Sequence, residues 1–383
     1  MLAKRNERVT EKNYDFPYIK YEANKSAKEW GQAHGESFRE GIKELVEIRK
    51  KLMLSKNPAL KSELNPLAKL QYEATKKFAP EITKEIEGIA EGANIDLTEI
   101  VILNNYTDFR DIQLPDEGCS TVHVQTKDQI LSGQTWDMHG SAKRFVNVIH
   151  IPKTENSPES VVFSLIGCVG MMGINTYKNL IGVNNINTAN AQAGLIWPAL
   201  VRKVLKETNL SGMRQKLIEA PVTSGHNYLI SSLEGGEHWE ITPRLQEKVA
   251  EMKKEQSGGV FHTNHCLGQK VQEEEDTSSI SSTTHGRYEL LGKKVPNVDS
   301  FEKLKSLLMD HEGYPKSICS HFQSGAQDPS MTCGGGIADF IHDDYYFWRG
   351  CPEYDDNFRS YQFSLEGSEG EKTFVLKESK NSL

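Results

Sequence analysis

The stretch DEGCSTVHV, residues 116–124, is where this chain changes character. Thr121, Val122, His123 and Val124 begin a polar/apolar alternation with the period of a strand, whereas the text to the left is helical. From Ser26 to Leu54, the residues Trp30, Phe38, Ile42, Leu45, Ile48 and Leu52 recur mostly at helical spacing. From Pro80 to Leu103 the pattern continues in short helices broken near Gly92. After Cys119 the chain reads as strands: STVHVQ, QILSGQTWD, FVNVIHIP, SVVFSLIGCVG and LIGVNNINTA. Helical text over WPALVRKVLKET and MRQKLIEA is followed by strands in HNYLISS, HWEITP and GGVFHTNHC. Helices around HGRYELLGK and FEKLKSLLMDH lead to a last strand group, GGGIADFIH, YYFWRG and RSYQFSL. Such blocks predict a layered α+β fold with largely antiparallel sheets.

No stretch reads as a domain linker, so residues 1–383 are expected to form a single domain, helix-rich over 1–118 and strand-rich over 119–383. EEEDTSSISSTT is expected to be an exposed loop and the tail KESKNSL a frayed end. The run Tyr345 to Trp348 reads as a core strand or a pocket wall. The glycines of GCVGMMG and CGGGIAD lack the Lys-Ser/Thr of a phosphate loop and read as close-packed strand bends.

A net charge of -8 without a basic block argues against nucleic acid or an anionic membrane surface as the main partner and favours a small molecule. The N-terminal text MLAKRNERVTEKNYDF has no apolar stretch behind its charges, so a cytoplasmic protein is expected. Six dispersed cysteines with no Cys-x-x-Cys fit reduced thiols, which leaves one of them free to be a nucleophile.

Chemistry at the seam follows from the Gly118-Cys119 pair. Glycine lacks a Cβ, so the bond before Cys119 can be strained and approached closely. Attack of the thiol on that carbonyl, followed by hydrolysis, would leave Cys119 as a new N-terminus. Its α-amine, with a reference pKa of about 7.7 to 8.0, would then serve as general base beside its own nucleophile. Eighteen residues on, Asp137 ends the next strand, where a hairpin returns it beside Cys119 to orient the amine, to hold a substrate amine, or to act as a plain turn carboxylate. Asn264 in FHTNHCLGQ offers a side-chain amide for an oxyanion, or a turn. Two other readings stand beside this one. His262, His265 and Cys266, with His342, Asp343 and Asp344 as further ligands, suggest a zinc hydrolase, although the spacing suits a shared ion poorly. A binding protein that kept the fold and lost the activity is the other.

The segments GCSTVHV, GQTWD and HTNHCL, with WGQAHGESF and LNNYTDF before them and YPKSIC and TCGGGIAD after, closely resemble the acyl-coenzyme A:6-aminopenicillanic acid acyltransferase family of N-terminal nucleophile hydrolases. The matches run in order from about residue 18 to residue 365. The resemblance implies a four-layer αββα sandwich and a precursor that cuts itself between Gly118 and Cys119 into associated pieces of 118 and 265 residues. It implies Cys119 as nucleophile, Asp137 as a site residue and Asn264 in the oxyanion hole, with no metal and no cofactor. Thr121 lies in a matching motif, where a structural strand role serves as well. The family's site arginine would fall at Pro329, three residues before Thr332, so Arg287 or Arg349 is the candidate substitute. The implied substrate is a small N-acyl amide or acyl thioester. Water as acceptor gives hydrolysis and an amine gives acyl transfer. Hydrolysis is favoured, since water is always available and the arginine is missing from its place.

Overall fold

A computed structural model describes residues 14–108, 118–280, 282–314, 316–321, 328, 330–368 and 371–381. After a short strand β1 (Tyr18–Lys20), the first third is helical: α1 (Ala27–Ser37), α2 (Arg39–Lys56), α3 (Leu60–Phe78), α4 (Pro80–Ala93) and α5 (Leu97–Asn104). Strands follow as β2 (Cys119–Gln125), β3 (Ile130–His139), β4 (Val146–Ile151), β5 (Ser160–Leu165), β6 (Met172–Asn175) and β7 (Leu180–Asn185). Helices α6 (Trp197–Val204) and α7 (Leu210–Ile218) lead to β8 (His226–Ser232), β9 (Gly235–Ile241), β10 (Gln246–Lys253) and β11 (Gly258–His262). The chain ends with α8 (Thr284–Lys294), α9 (Phe301–Leu308), β12 (Ser330–Asp339), β13 (Asp344–Arg349), β14 (Arg359–Glu366) and β15 (Thr373–Asn381).

Two sheets form. One has the order β1-β4-β5-β6-β7-β8-β9-β10 and the other β11-β2-β3-β12-β13-β14-β15. All pairings are antiparallel except β1 with β4. Every residue of β2 is buried, and the pleat explains how. Val122 and Val124 face outward into an apolar layer with Leu290, Leu291, Leu304, Leu307 and Leu308 of α8 and α9. Thr121 faces inward, where its Oγ1 donates to Asn184 Oδ1 of β7 in the opposite sheet at 2.6 Å. The first sheet is covered on its far side by the remaining helices: Gly167 packs on Ile42 and Leu103, Gly173 on Leu205, and Asn104 Nδ2 donates to the Gly167 carbonyl. The result is the αββα layering that the resemblance implied.

The sheets are locked in register by polar contacts that an all-apolar interface would lack. Gln134 of β3 donates from Nε2 to the Val183 carbonyl and accepts the Val183 N–H on Oε1, both at 2.7 Å, so a side-chain amide docks on β7 as a peptide group would. Ser132 and Ser231 meet across the same gap at 2.8 Å. Because buried polar groups are costly unless paired, such contacts fix which residues of the two sheets face each other.

Helix α1 starts at a capping box, Ser26 with Glu29. It crosses α4 at backbone contact, since a Cβ on Gly31 or Gly88 would fall on the carbonyl of the facing helix. That approach accounts for the glycines of WGQAHGE. Three expectations change. The helical pattern from Ser26 to Leu54 is two helices, divided at Phe38, whose backbone leaves the helical region (φ -122°, ψ 21°). The tail does not fray through residue 381: β15 pairs with the open edge of β14, from Thr373 opposite Glu366 to Asn381 opposite Arg359, with Phe374 buried. EEEDTSSISSTT is exposed at Glu273, Thr277, Ser278 and Ser282 but half-buried from Glu274 to Asp276, and it ends in the buried pair Thr283 and Thr284, both used below. No helix among the described residues is long and apolar enough to cross a membrane.

Candidate active site

Cys119 is the first residue of β2 and is buried. The β2–β3 hairpin sets Cys119 opposite Trp136, and the ladder reaches one step further back: the Asp137 N–H donates to the Gly118 carbonyl at 2.8 Å. On the other side of that peptide bond, the Cys119 N–H donates to Asn264 Oδ1 at 2.8 Å. The Gly118–Cys119 amide is thus held at both ends, its carbonyl by a backbone donor and its nitrogen by a side-chain acceptor.

Asn264 lies just beyond β11, and its carboxamide orientation is fixed by its partners rather than free to flip. Oδ1 takes hydrogen bonds from the Cys119 N–H and from Arg287 Nη2 (2.8 Å), while Nδ2 donates to the Asn185 carbonyl (2.9 Å). Its backbone N–H is tied to Thr284 Oγ1 at 2.7 Å, anchoring the loop to the start of α8.

Arg287 was one of two candidate substitutes for the arginine missing at Pro329, a position outside the described residues. It reaches the site from the first turn of α8 and is fully buried. Its guanidinium donates from Nη1 to the Cys119 carbonyl (2.7 Å) and Ser120 Oγ (3.1 Å), from Nη2 to Asn264, and from Nε to Thr283 Oγ1 (3.1 Å). Arg349 does not come here; its Nη2 donates to the Asn357 carbonyl and its charged neighbours include Arg359, Asp15 and Asp355.

Asp137 stands directly opposite Thr332 in the β3–β12 ladder, and Thr332 Oγ1 donates to its Oδ1 at 2.7 Å. Thr332 is itself clasped to Ser320, accepting the Ser320 N–H on Oγ1 and giving its own N–H to the Ser320 carbonyl, both at 2.8 Å. Burial pushes the Asp137 carboxyl up to about 6, opposed by the nearby positive charge of Arg287 and by the Thr332 hydrogen bond. The second carboxylate oxygen explains the glycine: a Cβ on Gly118 would lie 2.7 Å from Asp137 Oδ2 and 2.8 Å from Arg287 Nη2. We expect Gly118→Ala to displace one of these groups and slow any cleavage after residue 118 by about 10²-fold, the usual cost of a misplacement near 1 Å. Intact mass measured over time after expression checks this.

Thr121 does not touch Cys119 directly but meets it through Asn184, whose Nδ2 donates to the Cys119 carbonyl at 3.0 Å. Asn184, Ser120 and Thr283, with Asn185, Thr284 and Ser320, are the contributors that sequence reading missed. The one available signal was Asn184-Asn185, two carboxamides closing an apolar strand.

The zinc alternative is not supported by where its residues lie. His262 is engaged by Glu240 Oε1 and the Thr263 carbonyl, both at 2.8 Å, and His265 Nδ1 by Thr284 Oγ1 at 2.9 Å. His342 pairs with Asp339, while Asp343 pairs with Lys178 and Lys372. Among the described residues, neither set gathers three ligand atoms around one point. A cleft of about 590 Å³ lined by Trp30, Glu81, Arg202, Lys206 and Lys216 opens elsewhere and includes none of the residues around Cys119.

The family model for acyl-coenzyme A:6-aminopenicillanic acid acyl-transferase matches residues 124–329. The chain is 28% identical over 306 residues to the acyl-coenzyme A:6-aminopenicillanic-acid-acyltransferase 40 kDa form of Emericella nidulans, covering 78% of this chain and 83% of the relative. Among solved structures it is similar to a conjugated bile acid hydrolase from Clostridium perfringens (TM-score 0.43, 10% identity, 68% of this chain and 96% of the other). It is also similar to the N-acylethanolamine-hydrolyzing acid amidase ortholog of Caenorhabditis elegans (TM-score 0.39, 11% identity, 58% and 93%). Since the family match spans more than half of its length, the chain belongs to the acyl-coenzyme A:6-aminopenicillanic acid acyl-transferase family.

Proposed function

We propose that the protein cuts itself between Gly118 and Cys119 and then acts as an N-terminal cysteine amidohydrolase or acyltransferase on small N-acyl amides or acyl thioesters, with amide hydrolysis as the main reaction. The observation that carries this reading is the grip on one peptide bond: Asp137 N–H on the Gly118 carbonyl, Asn264 Oδ1 on the Cys119 N–H, and the Cys119 thiol adjacent. Attack of Sγ on the Gly118 carbonyl carbon forms a thioester as the C–N bond breaks, and the thiol proton passes to the departing nitrogen. Water then hydrolyses the thioester, leaving a Gly118 carboxylate and a Cys119 with a free α-amine. The Asp137 N–H, already on the scissile oxygen, stabilises the charge that develops there.

In the mature form the α-amine takes the thiol proton, Sγ attacks the substrate carbonyl, and the amine returns the proton to the leaving group. Asn264 Oδ1 keeps the amine in place. Of the two Nδ2 hydrogens one goes to Asn185 O, and the other supplies the oxyanion, a contribution of about 3 to 4 kcal/mol by comparison with other acyl-transfer enzymes. Asp137, beside the position that Gly118 vacates, pairs with the amine or with a substrate amine. Water or an amine then releases the acyl group.

The decisive experiment is intact-protein mass spectrometry together with a panel of N-acyl amines. Fragments of 118 and 265 residues and cleavage of at least one amide are expected; a single uncut chain that nevertheless processes amides would sink the reading. A pH profile adds a second check. Asp137 must be ionised to hold a cation, so kcat/KM should fall as the pH drops through about 6. Thr332→Val removes a hydrogen bond that favours the carboxylate, so this acid limb should move to higher pH.

A further inference from the structure

Four side chains with soft or borderline ligand atoms meet at one point on the far side of the Asp137 support. His311 follows α9, Cys319 and His321 precede β12, and Cys351 follows β13. One ligand atom from each lies within 4.8 Å of all the others. The Cys319 Sγ to His321 Nε2 distance is 3.5 Å and that from Cys351 Sγ to His311 Nε2 is 3.3 Å. A tetrahedral zinc with metal–sulfur bonds near 2.3 Å and metal–nitrogen bonds near 2.0 Å requires sulfur–nitrogen edges of about 3.6 Å. Cys319, His321 and Cys351 are buried, and both thiols are free rather than joined.

The surroundings also suit an ion. The other ring nitrogen of His311 faces Glu353 Oε2 at 3.4 Å, the carboxylate–histidine arrangement that leaves Nε2 as the ligand atom.

We infer that His311, Cys319, His321 and Cys351 form a closed, structural zinc site. Two thiolates and two imidazoles in tetrahedral reach select zinc over magnesium or calcium, and four protein ligands leave no open position for catalysis. The site clamps α9, the Cys319-Ser320-His321 segment and the end of β13. Ser320, held between two ligands, is the residue clasped to Thr332, which in turn holds Asp137. Metal therefore braces the carboxylate from behind; this consequence alone rests on the proposed catalytic reading.

The test uses the full-length chain, expressed with zinc and purified under a non-chelating phosphine reductant. About one zinc per chain is expected by elemental analysis. After removal of zinc by a chelator, cobalt(II) should bind in the same ratio and give the intense thiolate-to-cobalt absorption of a tetrahedral site. Cys319→Ser/Cys351→Ser should lose the metal, and Glu353→Gln should weaken zinc binding at least tenfold. The cobalt titration of the unmodified chain keeps the test valid even where the double variant fails to fold. A reduced chain with neither zinc nor the cobalt absorption overturns the inference, as does a Cys319–Cys351 disulfide in the reduced protein or a double variant that keeps its zinc. Loss of self-cleavage in a chain that still binds one zinc counts against the catalytic reading and not against the metal.

Discussion

Cys119→Ala should abolish both self-cleavage and turnover, giving one species of 43.1 kDa where the unmodified protein gives two fragments. Among the described residues the next hydroxyl along β2, that of Ser120, does not replace the thiol, since its Oγ sits under Arg287 Nη1 on the side facing α8. Removing a nucleophile of this kind costs at least about 10⁴-fold, because the contacts that remain only bind and polarise the substrate. Cys119→Ser separates the two roles of the residue. It keeps a nucleophilic atom, and any chain that does cut still gains the α-amine, so slow cleavage with weak turnover is expected. Intact mass follows the first reaction and release of amine the second. Wild-type turnover by Cys119→Ala would remove the thiol from the mechanism altogether.

How far the site was legible in the sequence depended on how locally each contact is built. Asp137 was readable because an antiparallel hairpin has a fixed register, so an eighteen-residue step through one turn leaves few places for a carboxylate to return. Gly118 was readable as a close-approach position, but the groups that crowd it were not; Arg287 is 168 residues from Cys119 in sequence and arrives on a helix packed against the outer face of the sheet. A linear motif fixes where a charge sits in the chain, whereas the fold fixes only where it sits in space, so the cation can come from α8. Asn264 was found by type and placed by role, but its polarity was invisible: whether Oδ1 or Nδ2 faces Cys119 depends on Arg287 and Asn185. In the fold, strands with clear alternation were legible. Three-residue β1, four-residue β6 and the charged β10 and β15 were not, since they exist through pairing with neighbours that local pattern does not reveal. The four residues His311, Cys319, His321 and Cys351 escaped for the same reason, being drawn from three segments with no ligand spacing to mark them.

Arg287→Met should be the most damaging change outside the nucleophile, and its effects should separate into stability and chemistry. The guanidinium is wholly buried and spends its donors on Cys119 O, Ser120 Oγ, Asn264 Oδ1 and Thr283 Oγ1. Methionine fills similar volume but leaves the buried Asp137 without the positive charge that offsets its desolvation. Leaving a buried acceptor without its donor costs about 1–3 kcal/mol, so a loss of about 3 kcal/mol or more is expected in denaturant unfolding. Asp137 can limit the damage by taking a proton, which predicts that the acid limb of the activity profile moves above its position near pH 6. Asn264, freed on one side, loses the restraint that aims Oδ1 at the Cys119 nitrogen, so self-cleavage should slow by about 10²-fold or more. Arg287→Lys keeps the charge but not the planar fork, and so should restore the acid limb while leaving cleavage slow. If the methionine variant were as stable as the parent, cut itself at the same rate and kept the same pH profile, Arg287 would be packing material and no part of the site.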